Sequence, residues 1–267
     1  MRDPLQLAVE MALESGKIQS KFFQKQFAVR HKGEIDLVTD VDIACQEKII
    51  AMLRQHRPED DIISEEQPNL FDSTNDRWLI DPVDGTTNYA HGYPFFCTSI
   101  AYEKAGKVVI GVVYNPVMNE LFFAALGQGA YLNGEKISVS PVADLKGSLL
   151  STGFPYDLST NPQNNISHFV DFLYKAQAIR RDGSAALNLC YVACGRFDGF
   201  WELRLNPWDV AAGSLIVEEA GGNVTGLAGE PFNIYGEGIL ASNRLVHEAM
   251  LAVIQKDNDP SGKGGDK

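Results

Sequence analysis

Residues 95–126 read FFCTSIAYEKAGKVVIGVVYNPVMNELFFAAL. Three runs rich in β-branched and aromatic residues, FFCTSIAYEK, KVVIGVVYN and NELFFAAL, are parted by Ala-Gly and by Asn-Pro-Val-Met. Turn residues between such runs predict consecutive antiparallel strands. Upstream, Asp3 as cap and Pro4 at the first helical position open a helix. A second helix follows LVTD, because Val41, Cys45, Ile49, Met52 and Leu53 recur at helical spacing and Pro58 lies beyond its end. Downstream, an extended run GSLLSTGFP leads into an alternating pattern. It reads helix (HFVDFLYKAQ), strand (AIRR), helix (SAALNLCYVACG), strand (FDGFWEL), helix (VAAGSLIVEEAGG) and strand (GILASN). That alternation predicts an α/β fold with helical crossovers. The change of pattern divides the chain into 1–145, 146–256 and a polar tail, DNDPSGKGGDK, expected to be disordered.

The chain has 267 residues, room for one large or roughly two ordinary domains of about 150 residues. Acids outnumber bases 35 to 23, a net charge of −12. This argues against broad binding to nucleic acid or anionic membrane, both of which need a basic face. Cys45, Cys97, Cys190 and Cys194 form no CxxC pair and no metal-finger spacing, so a reducing, cytoplasmic setting is expected. Cys190 and Cys194 read as small core-facing residues of one helix. The N-terminal MRDPLQLAVEMALESG lacks the pattern of a secretory leader. The apolar run Val108 to Tyr114 is far too short to cross a bilayer.

The informative feature is where the carboxylates fall. In WLIDPVDGTTN, an apolar strand delivers Asp81 to its end, Pro82 stiffens the exit, and Asp84 follows before Gly85. Glu65 ends another apolar run, IISEE, and Asp209 stands at a helix start in NPWDVAAG. Taken singly, each acid also suits a solvated turn or a helix N-terminus. Together, at element ends in an apolar frame, they predict a cluster that repels itself unless a cation sits in it. Hard oxygen ligands without His or Cys select magnesium over zinc or copper, and magnesium on carboxylates commonly serves phosphoryl chemistry. Helix starts at DGTTN and DGSAAL offer backbone amides for a phosphate, although Ser184 equally reads as a plain cap.

DPVDGTTN, the EE after an Ile-Ile strand, DLVTDVD and PWDVAAGSLIVEEAGG together resemble the inositol monophosphatase family over about residues 5–255. The resemblance implies a layered αβαβα sandwich and a lithium-sensitive, magnesium-dependent phosphatase. It also implies two or three Mg2+ ions per site and a homodimer. It places Glu65, Asp81 and the Val83 carbonyl on a first magnesium, and Asp81, Asp84 and Asp209 on a second. Glu65 reaches a third through water. It makes Glu65, Thr86 and Asp42 the residues that orient the attacking water, with Thr86 paired to Asp42. Gly85 and Thr86 then hold the phosphate by their amides. Gly183, Ser184, Ala185 and Glu202 face the hydroxyls of the alcohol, and Asp209 lies near the leaving oxygen. Inositol 1-phosphate and small related monoesters are the substrates this implies.

Some positions stay open. Thr39 and Asp42 also fit a capping box, a role only partly compatible with a bond from Asp42 to Thr86. Lys32, before Asp36, matches a mobile-loop lysine of the family or an ordinary surface lysine. Asp182, next to Arg180 and Arg181, departs from the family's uncharged residue and reads as a local ion pair, a dimer-surface group or a substrate-rim group. Three alternatives compete with the inositol phosphatase. One is a related specificity: fructose 1,6-bisphosphate, NADP or a nucleotide phosphate. Another is a protein-binding regulator of transcription antitermination, using Arg180, Arg181 and Arg204 as a basic rim. The third, a magnesium-dependent nuclease, clashes with the missing basic track.

Overall fold

The computed structural model describes residues 2–25, 29–31, 37–66, 76–155, 157–158, 160–161 and 164–256. Lys32, Asp36 and the tail 257–267 lie outside the described residues. In chain order the first half contains helix α1 (Pro4–Phe22), strands β1 (Val29–His31) and β2 (Leu37–Thr39), and helix α2 (Asp40–His56). Strands β3 (Asp61–Ser64) and β4 (Arg77–Asp84), the short helix α3 (Thr86–Ala90), and strands β5 (Cys97–Lys104), β6 (Lys107–Asn115) and β7 (Glu120–Ala125) follow. Strands β8 (Ala130–Leu132) and β9 (Glu135–Lys136) close the half. The second half runs β10 (Leu149–Thr152), α4 (Ile166–Leu173), β11 (Ala178–Arg180), α5 (Ala185–Ala193) and β12 (Gly199–Leu203). It ends with α6 (Pro207–Glu219), β13 (Asn223–Thr225), β14 (Gly238–Ser242) and α7 (His247–Lys256).

Strands β3 to β9 form a seven-stranded sheet in sequence order, antiparallel except for the β3–β4 pair. The three strands expected between residues 95 and 126 are its centre. The second sheet has the order β11-β10-β12-β14-β13, with parallel pairs on one side of β12 and antiparallel pairs on the other. Helices cover both faces of the two larger sheets, so the central strands β4, β5 and β6 read as nearly continuous apolar runs, while β7 alternates toward the edge.

Three cores set the layers. Leu7, Met11, Ile49 and Leu53 of α1 and α2 pack on Trp78, Ile80, Ile100 and Val112 of the large sheet. On its other face Leu79, Ala101 and Val113 meet Leu187 and Leu189 of α5 and Val210 and Ile216 of α6. The same core continues to Phe200, Ile239 and Ala241 of the second sheet. Leu150, Trp201 and Leu240 face outward from that sheet onto Phe172 of α4 and Met250 and Ile254 of α7. Adjacent strand residues thus point to opposite layers, and the order is helix, sheet, helix, sheet, helix. Gly111 permits the middle layer to close, since a Cβ there would stand 2.5 Å from the Ala212 carbonyl oxygen of α6.

Some expectations shift. The helix read over 168–177 occupies Ile166–Leu173, entered from Asn165 at a left-handed φ of 70°. Strand β13 and helix α7 are additional elements of the second half. Cys45, Cys97 and Cys190 are free and buried, Cys190 as expected, while Cys194, expected to face the core, stands at the C-cap of α5 and is only partly buried. Among the described residues no helix is long and apolar enough to cross a membrane.

Candidate active site

Strand β4 is buried from Trp78 to Asp84, and its last turn delivers both aspartates to the gap between the sheets. The register with β5 slips there: Asp81 pairs with Ser99 and Asp84 with Cys97. Pro82 and Val83 therefore face Thr98 alone, a bulge that re-aims the strand's end. The Asp81 Oδ1 accepts the Val83 N–H at 3.0 Å. Gly85 then turns the chain at φ +93°, where a Cβ would lie 2.9 Å from the Phe95 carbonyl oxygen. Only glycine fits both the conformation and the space.

Asp84 ties the two halves together. Its Oδ2 accepts from the Ser184 hydroxyl at 2.6 Å and from the Ala186 N–H at 2.8 Å, which leaves Oδ1 out of these bonds. The carboxylate is thus the anion bound at the start of α5, where free amides favour negative charge. This corrects one expectation. Two of the DGSAAL amides do not stand open for a phosphate, because Ala186 donates to Asp84 and Leu187 donates to the Ser184 hydroxyl at 3.3 Å.

Asp209 lies in the first turn of α6, and its Oδ2 accepts the Asn206 N–H at 2.7 Å. Glu65 follows β3, with its N–H on the Ile80 carbonyl at 3.2 Å. Glu202 projects from β12 beside Gly153, where a Cβ would collide with its carboxylate. A cavity of about 740 Å³ is lined by Glu65, Asp81, Val83, Asp84, Gly85, Gly183, Ser184, Ala185, Glu202 and Asp209. Ten expected site residues, far apart in sequence, thus share one space.

Thr86 and Asp42 stand behind this wall. The Thr86 hydroxyl is 3.0 Å from the Asp42 Oδ1 and 3.0 Å from the Val83 carbonyl. The Asp42 Oδ2 accepts the Thr39 N–H at 2.9 Å within a capping box. One oxygen serves the cap and the other serves Thr86, so the two roles that looked partly exclusive are both filled.

Burial dominates the electrostatics. It pushes Asp81 and Asp209 well above the usual carboxylate range, and neighbouring acids push them further. Burial also raises Asp84 to about 6, against hydrogen bonds from Ser184 and Ala186 that lower it. Glu202 rises to about 8 by burial and the Asp84 charge, with Arg181 opposing. No lysine or arginine is among the charges that act most on Asp81, Asp84 or Asp209.

Among the described residues no three His, Cys, Asp or Glu side chains close into a ready-made metal cage. The acids ring a space instead. Such a donor set fits magnesium, which keeps several waters and takes one or two carboxylates with substrate phosphate supplying the rest. Zinc would want nitrogen or sulfur and a tighter shell.

The other open positions resolve in part. Arg181 and Arg204 line the cavity, and Arg204 is paired with Asp157. Asp182 is half-buried, its pKa raised by burial and lowered by Arg180, and its carbonyl accepts from the Asn88 carboxamide at 2.7 Å. Sequence reasoning missed the wall made by Thr152, Gly153, Phe154 and Pro155, and it missed Asn188. Asn188 is buried in α5 with its Oδ1 unpartnered. No local sequence signal marks these residues; tertiary packing brings them in.

The profile of the inositol monophosphatase family matches residues 1–259. Inositol monophosphatase 3 of Solanum lycopersicum is 40% identical over 262 residues, covering 94% of this chain and 96% of that protein. Nus factor SuhB of Escherichia coli K12 is 42% identical over 255 residues, covering 94% and 96%. The inositol monophosphatase structure from Anabaena (Nostoc) sp. PCC 7120 superposes with a TM-score of 0.87 at 41% identity, covering 94% of this chain and 95% of that one. An IMPase from Thermotoga maritima gives a TM-score of 0.87 at 37% identity, covering 96% and 98%. With its layers, its acid-lined cavity and these likenesses, the chain belongs to the inositol monophosphatase family.

Proposed function

We propose that this phosphatase hydrolyses inositol 1-phosphate and related small polyol phosphate monoesters with magnesium as cofactor. The observation that carries the reading is the set of five acids, Glu65, Asp81, Asp84, Glu202 and Asp209, brought by four separate elements around one cavity. Asp81, Asp84 and Asp209 each have one oxygen fixed by a backbone N–H, with no cation of the described protein among the charges that act most on them. Glu65, Asp81, Val83 through its carbonyl, Asp84 and Asp209 would hold two to three magnesium ions. Bound there, magnesium would neutralise phosphate oxygens and acidify a water.

The chain's own groups do the rest. Asp42, its second oxygen already held by Thr39, accepts the Thr86 hydroxyl proton. The lone pairs of Thr86 then accept from the attacking water and aim it, with Glu65 as its second orienting group. Amides of Gly85 and Thr86 receive the phosphate. Glu202, beside Gly183, Ser184 and Ala185, receives hydroxyls of the alcohol, and Asp209 stands at the leaving oxygen. Positioning and charge complementarity supply most of the rate. The reading takes the protein as a cytoplasmic, lithium-sensitive homodimer with lobes 1–145 and 146–256.

A panel of phosphomonoesters with released phosphate as readout tests this. Inositol 1-phosphate is expected to give the highest kcat/KM, ahead of fructose 1,6-bisphosphate, NADP and nucleotide phosphates. Preference for a nucleotide would overturn the substrate assignment. A second reading, a protein-binding regulator of transcription antitermination, draws on the likeness to Nus factor SuhB. It ranks behind catalysis because the complete acid set argues for retained chemistry.

A further inference from the structure

We propose that Gln19 and Thr98 are positioning residues for the metal-binding turn, and that they act by holding the Pro82 carbonyl; this rests on the magnesium reading above. Gln19 lies near the end of α1, which packs on α2 and on β5 and β6 of the large sheet. It is fully buried. Its Nε2 donates to the Pro82 carbonyl at 2.8 Å and to the Thr98 hydroxyl at 2.8 Å. Thr98 in turn donates to the same Pro82 carbonyl at 3.0 Å and meets the Ser15 hydroxyl at 2.7 Å. The Tyr89 hydroxyl donates to the Gln19 carbonyl at 2.8 Å and fixes that turn of α1 from the far side.

The position of this network is what gives it a function. The bulge sets Pro82 and Val83 opposite Thr98 alone, so the Pro82 carbonyl is outside the regular ladder. A buried carbonyl needs a donor. Side chains from α1 and β5 supply two. Successive carbonyls of an extended segment point to opposite sides. Holding the Pro82 carbonyl toward α1 therefore turns the Val83 carbonyl the other way, where the Thr86 hydroxyl reaches it. Val83 lines the cavity, and its neighbours Asp81 and Asp84 bring the carboxylates.

The chemistry of Gln19 fits a donor and nothing else. A carbonyl only accepts, so the carboxamide must present nitrogen to Pro82. Both of its N–H groups are used, while its Oε1 is buried without a partner. A side chain selected for packing alone would not leave that oxygen stranded. The chain keeps a buried donor here at a cost to its fold.

The test is calorimetric titration of Mg2+ into the purified full chain, with melting temperature alongside. Gln19→Met keeps the length and removes the donors. Thr98→Val keeps the shape and removes the hydroxyl, and Thr98→Ser restores it. Ser15→Ala cuts the same network without touching the Pro82 carbonyl. Gln19→Met and Thr98→Val are expected to weaken Mg2+ binding about tenfold, the factor one buried hydrogen bond is worth. They should raise the Mg2+ concentration for half-maximal activity to match. Thr98→Ser should bind as the parent does, and Ser15→Ala should melt lower with unchanged Mg2+ affinity. Parent-like Mg2+ binding in both Gln19→Met and Thr98→Val would overturn the inference while leaving the metal reading intact. So would equal weakening in Ser15→Ala, which would make the network a matter of general stability. Absence of Mg2+ binding in the parent chain would remove the metal reading itself and this inference with it.

Discussion

Asp84→Asn and Asp209→Asn are each expected to leave a folded protein whose kcat at saturating magnesium is lower by about a thousandfold or more. The fold should survive because the structural bonds are kept. An asparagine at 84 still offers an oxygen to the Ser184 hydroxyl and the Ala186 N–H, and one at 209 still accepts from Asn206. What is lost is the negative charge on the oxygen those bonds leave over. Removing one acid from a crowded set also relieves repulsion, so the melting temperature without magnesium should hold or rise. Released phosphate and thermal melting check both halves. Near-normal turnover in the two variants would show that the acids are not the magnesium site.

Removing divalent cations is expected to abolish turnover and to lower the melting temperature. Asp81, Asp84 and Asp209 are pushed together in a buried space with no cation of the protein among their main partners. Magnesium bound only by the folded chain at a hundred times its Kd stabilises by about 2.7 kcal/mol. In a chain of this size each kcal/mol moves the melting temperature by about 2–4 °C. Magnesium should therefore raise it by roughly 5–10 °C over the chelated protein. Identical melting curves and equal phosphate release with magnesium and with chelator would contradict this.

The layers could be read from the sequence where local pattern and packing agree. The run from Phe95 to Leu126 became three neighbouring strands because its turns sit where the chain must reverse. Asp3 caps α1 through a 3.0 Å bond from the Gln6 N–H, as the Asp-Pro start predicted. The acids stood out because each ends an apolar element. Asp42 was harder, since a sequence shows one carboxylate and not the separate duties of its two oxygens. At DGSAAL the Ser184 cap was legible, but nothing local reveals that Asp84, a hundred residues earlier, takes the Ala186 amide of that helix start. Gln19 was invisible for a similar reason. A glutamine on a helix reads as solvated, and only the bulge in β4 makes it an interior donor. The wall from Thr152 to Pro155 carries no chemical signature and joins the cavity through the pairing of β10 with β12.

The most direct test of the account is a calorimetric titration of Mg2+ into the unmodified chain and into Asp209→Asn. The unmodified chain should show saturable binding that tightens when inorganic phosphate is present, because the anion's oxygens share the cations with the carboxylates. Asp209→Asn should bind at least tenfold more weakly, the loss of about 1.4 kcal/mol or more. An unmodified chain that takes up no magnesium, with or without phosphate, would contradict the account at its centre.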